Sequence, residues 1–209
     1  MSPRTATAPA GAAEPAGFLY VPELITPDEE RALLAWFTAS PEWKLVTFRG
    51  QTARRRAMSF GARYLTQGRK LERAPELPPE LALFRDRMLQ AACAGLGDAL
   101  ALAGRTIADY ALCTALHYPP GGAIGWHADN RAFGPTVLSL SLGAPARLQL
   151  QDPRGGNAGA LAIIEHELAP RSLFVLAGES RSIWQHRVCP VRAERYSLTV
   201  RAAADPEIV

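Results

Sequence analysis

The sequence contains little cysteine, and its cysteines lie too far apart for the usual cysteine-based structures. There are three, at Cys93, Cys113 and Cys189. An odd number at this spacing forms neither a disulfide framework nor a cysteine-type zinc site. We therefore expect the protein in a reducing compartment, the cytoplasm.

Long apolar runs and internal repeats are also absent. No stretch approaches the roughly 20 residues of a membrane-spanning helix, and residues 1–17, MSPRTATAPAGAAEPAG, lack the apolar centre of a secretory signal. We expect no membrane association. We interpret residues 1–17 as a disordered tail ahead of a single domain at 18–209, and we expect a monomer.

Two helices are indicated in the first half of the chain. Thr26 followed by proline and by Glu29 is a capping box, which predicts a helix over residues 27–39. A second helix is predicted from Pro79, where apolar residues recur at helical spacing until the region of Gly95.

The period of the apolar residues changes after residue 105. Short alternating or apolar segments then follow one another between turn residues, supported by 17 prolines and 17 glycines. Such a pattern is typical of a sandwich or jelly roll. The sequence therefore predicts a mostly β fold with flanking helices (α+β), whose β core covers residues 105–203. The segments are TVLSLSL (136–142), ARLQLQ (146–151), SLFVLA (172–177) and RYSLTVRA (195–202).

Charge is distributed unevenly along the chain. The formal net charge is +3, but residues 44–73, called here the basic segment, contain nine basic residues and one acid, which leaves +8 in the segment and −5 elsewhere. Phe48, Phe60 and Tyr64 lie among the cations. This combination is typical of surfaces that bind phosphates and stack on bases. We interpret the segment as a nucleic-acid contact, with a solvated basic loop as the alternative.

The motif HAD places His127 and Asp129 on one face of an extended chain, where both can bind one ion. His186 is distant enough for intervening strands to return it to the same site. His166 is flanked by acids and is expected at the surface, while His117 is too near to be the distant partner but able to line the site. Two histidines and one carboxylate are typical of non-haem Fe(II) centres. A polar loop and a structural histidine are the alternatives.

One strand carries an unusual set of polar residues. Arg195, Ser197, Thr199 and Arg201 share one face by the period of two. Guanidinium groups are suited to bidentate carboxylate recognition, so the two arginines together are suited to a small dicarboxylate. The alternative is an edge strand that uses arginine to resist aggregation.

These motifs together resemble the AlkB-type family of Fe(II)- and 2-oxoglutarate-dependent dioxygenases. The resemblance covers residues 113–203 and keeps the family order of motifs. It implies a double-stranded β-helix (jelly roll) preceded by helices and by a nucleotide-recognition lid, here the basic segment. The motifs are HYPPGGAIGWHADN, TVLSLSLG, LAPRSLFVLAGESRSIWQHRV and RYSLTVRA.

The resemblance assigns roles to individual residues. It implies that the iron ligands are His127, Asp129 and His186. For 2-oxoglutarate it implies Arg195 at the distal carboxylate, Arg201 near the metal-bound carboxylate, Tyr118 as a hydrogen-bond partner, and Ser197 in place of a frequent asparagine. Leu116 stands where repair members often carry asparagine, and the acid-rich continuation that several of them have after the aspartate is missing from HADNRAFG.

The implied reaction uses Fe(II), 2-oxoglutarate and O2, and it yields succinate, CO2 and a hydroxylated substrate. We expect oxidative demethylation of N-alkylated bases in DNA or RNA, with release of formaldehyde, as in DNA repair. The base must be flipped or single-stranded to be reached. Alternatives are a protein side chain or modified tRNA as substrate, and a non-catalytic jelly-roll binding module. The candidate substrate residues are Arg54, Arg55, Arg56, Phe60, Tyr64 and Trp126, with core packing as the alternative for the three aromatic residues.

Overall fold

The computed structural model describes residues 14–48, 51–65, 70–154 and 163–205. Most of the predicted tail, residues 1–13, lies outside the described residues, as do Arg49 and Arg69 of the basic segment. The last part of the tail is folded, because the carbonyls of Ala16 and Gly17 accept hydrogen bonds from Ser180 and Ala177. The prediction that disorder extends to residue 17 is therefore wrong at that end.

The two predicted helices are confirmed. Helix α1 (Pro27–Ala39) has the capping box, in which Thr26 Oγ1 accepts from the Glu29 amide at 3.2 Å and the Glu29 carboxylate accepts from the Thr26 amide at 2.8 Å. Helix α2 (Pro79–Leu96) ends ahead of Gly97, whose φ of +79° favours glycine. The short helix α3 (Asp98–Ala101) follows directly.

The first half of the chain also contains strands, which the sequence did not indicate. Four of them lie within the basic segment, and two of these four pair as a separate ribbon, so the described residues of the segment are mainly strand and not a solvated loop. The cations interrupt the apolar alternation that marks a strand. The strands are β1 (Phe18–Val21), β2 (Lys44–Phe48), β3 (Gln51–Phe60), β4 (Ala62–Leu65) and β5 (Lys70–Arg73).

The second half forms the predicted β core. All four segments with the strand pattern lie in strands, and a short helix, α4 (Gly178–Ser182), interrupts the series. The strands are β6 (Leu112–Tyr118), β7 (Ile124–His127), β8 (Phe133–Gly143), β9 (Ala146–Gln151), β10 (Ile163–Leu168), β11 (Leu173–Leu176), β12 (Gln185–Val188) and β13 (Arg195–Ala203).

The strands form two principal antiparallel sheets. The major sheet has the order β1-β11-β8-β13-β6-β3-β2, the minor sheet has the order β10-β9-β12-β7, and β4 pairs with β5 separately. Side chains of both sheets, such as Val137 and Phe174 from one and Leu148 and Leu150 from the other, share one buried cluster. The predicted jelly roll is confirmed.

Strand β13 lies inside the major sheet, between β8 and β6. The interpretation of this strand as a charged edge is therefore wrong. One face of β13 presents the arginines toward the minor sheet, while Leu198 and Val200 on the other face pack with Phe37 of α1 and Met88 of α2. The helices thus cover the outside of the sheet that carries the site. No helix in the described ranges is long and apolar enough to cross a membrane.

Candidate iron centre

Three side chains with metal-ligand atoms come together at the end of β7. His127 is the last residue of β7, Asp129 follows two residues later, and His186 of the neighbouring β12 is in register with His127. Their ligand atoms lie within 4.8 Å of one another. This is the predicted set of two histidines and one carboxylate, and such a set suits non-haem Fe(II).

The Asp129 carboxylate is held as an anion in a buried place. Its side chain is only 5% exposed, and Arg201 Nη2 donates to its Oδ1 at 2.9 Å. Burial alone raises the pKa of Asp129, but opposing charges, of which Arg201 is the largest, outweigh burial and hold the pKa well below its ordinary value. Arg201 therefore keeps this oxygen ligand deprotonated.

Each histidine offers a ring nitrogen to the ligand cluster. Burial lowers the pKa of His186 to about 4, with partial opposition from Asp129, so the ring is neutral near pH 7. His127 Nδ1 lies 2.9 Å from the carbonyl oxygen of Gly125, and donation there leaves Nε2 free for an ion. Neutral imidazole is the form that binds metals.

The unpartnered atoms of the cluster fit a bound cation. Asp129 Oδ2 is buried without a hydrogen-bond partner in the described part of the chain, which is unusual for a carboxylate oxygen. His186 Nε2 is 3.6 Å from that oxygen, a distance too long for a hydrogen bond but suitable for two ligands of one ion. The donor set and the idle oxygen therefore both fit Fe(II).

A second group of residues fits a carboxylate. Arg195 is 1% exposed, its Nη2 donates to Ser141 Oγ at 3.1 Å, and its Cζ lies 4.8 Å from the centre of the Tyr118 ring. Its Nε and Nη1 are buried without a partner among the described residues. Ser197 is the next buried residue on the same face. A buried guanidinium with idle donors is costly unless an anion binds it, which matches the distal carboxylate of 2-oxoglutarate.

Arg181 was not among the predicted site residues. It lies in α4, is 8% exposed, and donates to the carbonyl oxygens of Asp129 (3.2 Å), Asn130 (2.9 Å) and Phe133 (3.3 Å). Nothing in the local pattern of GESRS distinguishes this arginine from an exposed helical one. Only the tertiary position of α4 against the turn after Asp129 makes it part of the site.

A cavity of about 940 Å³ adjoins the candidate iron centre. One side is formed by the basic segment, and the other by β6, β7 and the residues around the metal ligands. Charged and aromatic residues of the lining include Lys44, Arg55, Arg63, Tyr64, Arg73, Trp126, His127, Phe133 and Arg201. A volume of this size falls in the range of pockets for small organic groups.

The family model described as 2OG-Fe(II) oxygenase superfamily matches residues 17–201. The chain belongs to this superfamily. Its members use Fe(II), 2-oxoglutarate and O2, and the cluster of His127, Asp129 and His186 is a possible site for the iron. The chain is a dioxygenase of the AlkB-like type.

Similar curated proteins are much longer than this oxygenase. It is 28% identical over 177 residues to the tRNA (carboxymethyluridine(34)-5-O)-methyltransferase ALKBH8 of Mus musculus, over 84% of this chain and 24% of the relative. The corresponding values for alkbh8 of Xenopus tropicalis are 27% over 178 residues, 84% and 26%. The chain thus spans about a quarter of the length of these relatives.

Solved structures share the fold of the oxygenase. OsALKBH1 has a TM-score of 0.70 at 17% identity, with 91% of this chain and 99% of that chain covered. A Pseudomonas putida prolyl-4-hydroxylase has a TM-score of 0.61 at 17% identity, with 90% and 92% covered. At this identity the likeness shows the jelly-roll fold alone.

Four of the predicted substrate residues of the oxygenase line the cavity, namely Arg55, Phe60, Tyr64 and Trp126. The Tyr64 ring lies 6.0 Å from the ring of Phe133, and the Trp126 ring lies 4.8 Å from the guanidinium carbon of Arg187. These positions leave the predicted contacts with a base geometrically possible.

Two predicted substrate residues, Arg54 and Arg56, lie outside the cavity lining, and Phe60, which lines it, is mostly buried. Arg54 and Arg56 are exposed because alternate residues of β3 face away from the cavity. Phe60 is 6% exposed and packs in the core 6.2 Å from the Trp36 ring. Phe60 thus belongs mainly to the core but also lines the cavity, and base stacking by Phe60 stays a prediction.

The two remaining histidines are not part of the iron centre. His117 pairs with Glu194 and stacks on Tyr196 at 4.6 Å, on the face of the major sheet that packs against the helices. His117 therefore does not line the site, contrary to the prediction. His166 is partly buried against Phe18, 4.4 Å between ring centres, so the expected surface position is also wrong.

Proposed function

We propose that this oxygenase demethylates N-alkylated bases in DNA or RNA. The observation that carries the proposal is the charge and shape of the cavity beside the candidate iron centre. Lys44, Arg55, Arg63 and Arg73 supply cations to its lining, and Tyr64 supplies an aromatic ring. Cations that attract phosphates, combined with an aromatic surface, suit a single-stranded or flipped nucleotide.

In this proposal, different side chains bind the ion, set the charge of its carboxylate ligand and bind the cosubstrate. His127, Asp129 and His186 hold the ion, while Arg201 keeps Asp129 anionic. Arg195 binds and orients the distal carboxylate of 2-oxoglutarate. When bound, Fe(II) with 2-oxoglutarate and O2 supplies the oxidant that converts a C–H bond to C–OH.

The bond that joins the oxidised carbon to the base decides what is released. A hydroxylated N-methyl group is a hemiaminal, and its collapse releases formaldehyde and the free base nitrogen. A carbon attached to another carbon of the base gives a stable alcohol instead. The two outcomes are distinguishable by formaldehyde and by product mass.

A second candidate substrate is a modified uridine in tRNA. The similar curated proteins are named as methyltransferases of carboxymethyluridine 34 in tRNA. A substituent linked through carbon to the uracil ring would be hydroxylated without loss of formaldehyde. Leu116, which lines the cavity where repair members often have asparagine, is compatible with a base other than theirs.

The proposal is tested by a substrate panel. The purified protein with Fe(II), 2-oxoglutarate and O2 is incubated with N-methylated single-stranded DNA and RNA, RNA with 5-carboxymethyluridine derivatives, and N-methylated peptides. We expect succinate and formaldehyde in equal amounts with an N-methylated oligonucleotide. The Asp129→Ala variant, which lacks an iron ligand, is the control and should form neither.

Two other results are informative. A product that gains one oxygen atom from the uridine derivative, without formaldehyde, would establish the second candidate. Oxidation of a peptide with no turnover of any oligonucleotide would contradict the nucleic-acid proposal altogether.

A further inference from the structure

The chain segment that carries two of the three candidate ligands is weakly held by its own sheet. Strand β7 has four residues, lies at the edge of the minor sheet, and pairs only with β12, through a register shift. Asp129 lies beyond the end of this strand. Within residues 123–133, called here the ligand segment, ladder hydrogen bonds therefore hold β7 on one side only, and Asp129 lies between the strands rather than in one.

Arg181 holds the far end of the ligand segment. Its two terminal nitrogens donate to three backbone carbonyl oxygens, those of Asp129, Asn130 and Phe133, at 2.9–3.3 Å. One planar guanidinium that binds three carbonyls of one turn restrains the path of that turn, because its donors are fixed relative to each other. The first of these carbonyls is the backbone carbonyl of Asp129, whose side chain is the candidate carboxylate ligand.

Arg55 holds the near end. This half-buried residue of β3 reaches across the cavity wall, and its Nη1 donates to the carbonyl oxygen of Ala123 at 3.0 Å. Strand β3 belongs to the basic segment, and no other hydrogen bond recorded for the described residues joins a side chain of that segment to the ligand segment. Its neighbours Arg54 and Arg56 are exposed on the opposite face of β3.

We propose that Arg181 and Arg55 are positioning residues that hold the ligand segment at its two ends, and that Arg55 thereby couples the basic segment to the iron centre. Groups that orient metal ligands typically affect metal affinity or activity by 10- to 100-fold. This inference concerns the metal site alone and does not depend on which substrate the oxygenase takes.

The Arg181 part is tested by metal affinity without substrate or turnover. Mn(II) binding to the purified Arg181→Met protein is measured by calorimetry, and the visible spectrum of the Co(II) form reports ligand geometry. We expect about 10- to 100-fold weaker Mn(II) binding and an altered Co(II) spectrum. A purely structural role would lower the melting temperature but leave both readouts of the folded protein unchanged.

A conservative variant covers the case in which Arg181→Met fails to fold. Arg181→Lys keeps the charge but loses the planar fork. We therefore expect it to bind Mn(II) more weakly than the parent, but with a smaller loss than the full removal of the guanidinium would cause. A folded Arg181→Lys protein with parental affinity and a parental Co(II) spectrum would overturn this part of the proposal.

The Arg55 part has matched controls in the same strand. Arg55→Met should weaken Mn(II) binding measurably but less than Arg181→Met, because Ala123 is farther from the ligands than the turn that Arg181 holds. Arg54→Met and Arg56→Met, which remove equal charge on the other face, should bind Mn(II) like the parent. If Arg55→Met equals these two controls, the coupling of the basic segment to the iron centre is refuted.

Discussion

The chemistry of this oxygenase depends on a few charged residues that are buried together. Asp129 is stabilised by Arg201, whereas Arg195 keeps two buried donors idle in the described structure. Burying an unpaired charge is expensive, so folding alone does not explain Arg195. Its cost is understandable if the group it binds carries the opposite charge.

The first prediction compares the two histidines that follow Asp129 in the sequence. His186→Ala should abolish succinate formation, because it removes a nitrogen from the ligand cluster. His166→Ala should retain turnover, because His166 packs against Phe18 outside that cluster. Succinate release and Fe(II) binding are measured for both proteins, with circular dichroism as the check on folding. Loss of succinate release and of Fe(II) binding in His166→Ala, with both unaffected in His186→Ala, would show that His186 is wrongly assigned as the third ligand.

The second prediction concerns the fit of Arg195 to its anion. Arg195→Lys keeps a positive charge but not the planar fork, so the apparent KM for 2-oxoglutarate should rise strongly. Large losses of metal affinity, about 10- to 100-fold, are typical of residues that hydrogen-bond to a metal ligand. Because Arg195 does not contact the ligand cluster, we expect its Mn(II) affinity to stay within about twofold of the parent value. Steady-state kinetics and calorimetry measure the two quantities. A parental KM would remove Arg195 from the cosubstrate site.

At the scale of the element, β3 divides the three consecutive arginines between two faces. Arg55 enters the cavity, while Arg54 and Arg56 face solvent. The sequence showed the charges but not this division, since RRRAMSF has no apolar alternation from which to read the phase. The phase is set by pairing of β3 with β6, a contact that is distant in sequence.

The third prediction follows from that division. If Arg54 and Arg56 contact phosphates, replacing both by alanine should flatten the log–log dependence of oligonucleotide binding on salt by about 1.4 for single strands, about 0.7 per contact. Fluorescence anisotropy across a salt series measures the slope. The control is Arg31→Ala, an exposed arginine of α1 paired with Asp28. An unchanged slope in the double variant would exclude these two residues from the phosphate contact.

At the scale of the whole molecule, short sequence patterns predicted the helices and strands that depend mainly on neighbouring residues. The capping box placed α1, the period of two placed β8, β9 and β13, and the resemblance brought together His127, Asp129 and His186. Three features needed the tertiary structure. The orientation of His117 depends on which face of β6 packs on the helices. Phe60 is buried by contacts that are distant in sequence, among them Trp36. Arg181 belongs to the site because α4 lies beside the turn after Asp129.

The place of each strand in its sheet also gives the site two different modes of failure. β13 is flanked by strands on both sides and packed against helices on one face, so we expect its amide protons to exchange with solvent far more slowly than those of β7, which lies at an edge. We therefore expect iron to be lost through local opening of β7 while the arginines of β13 stay in place, so that the metal-free oxygenase stays folded and can bind iron again.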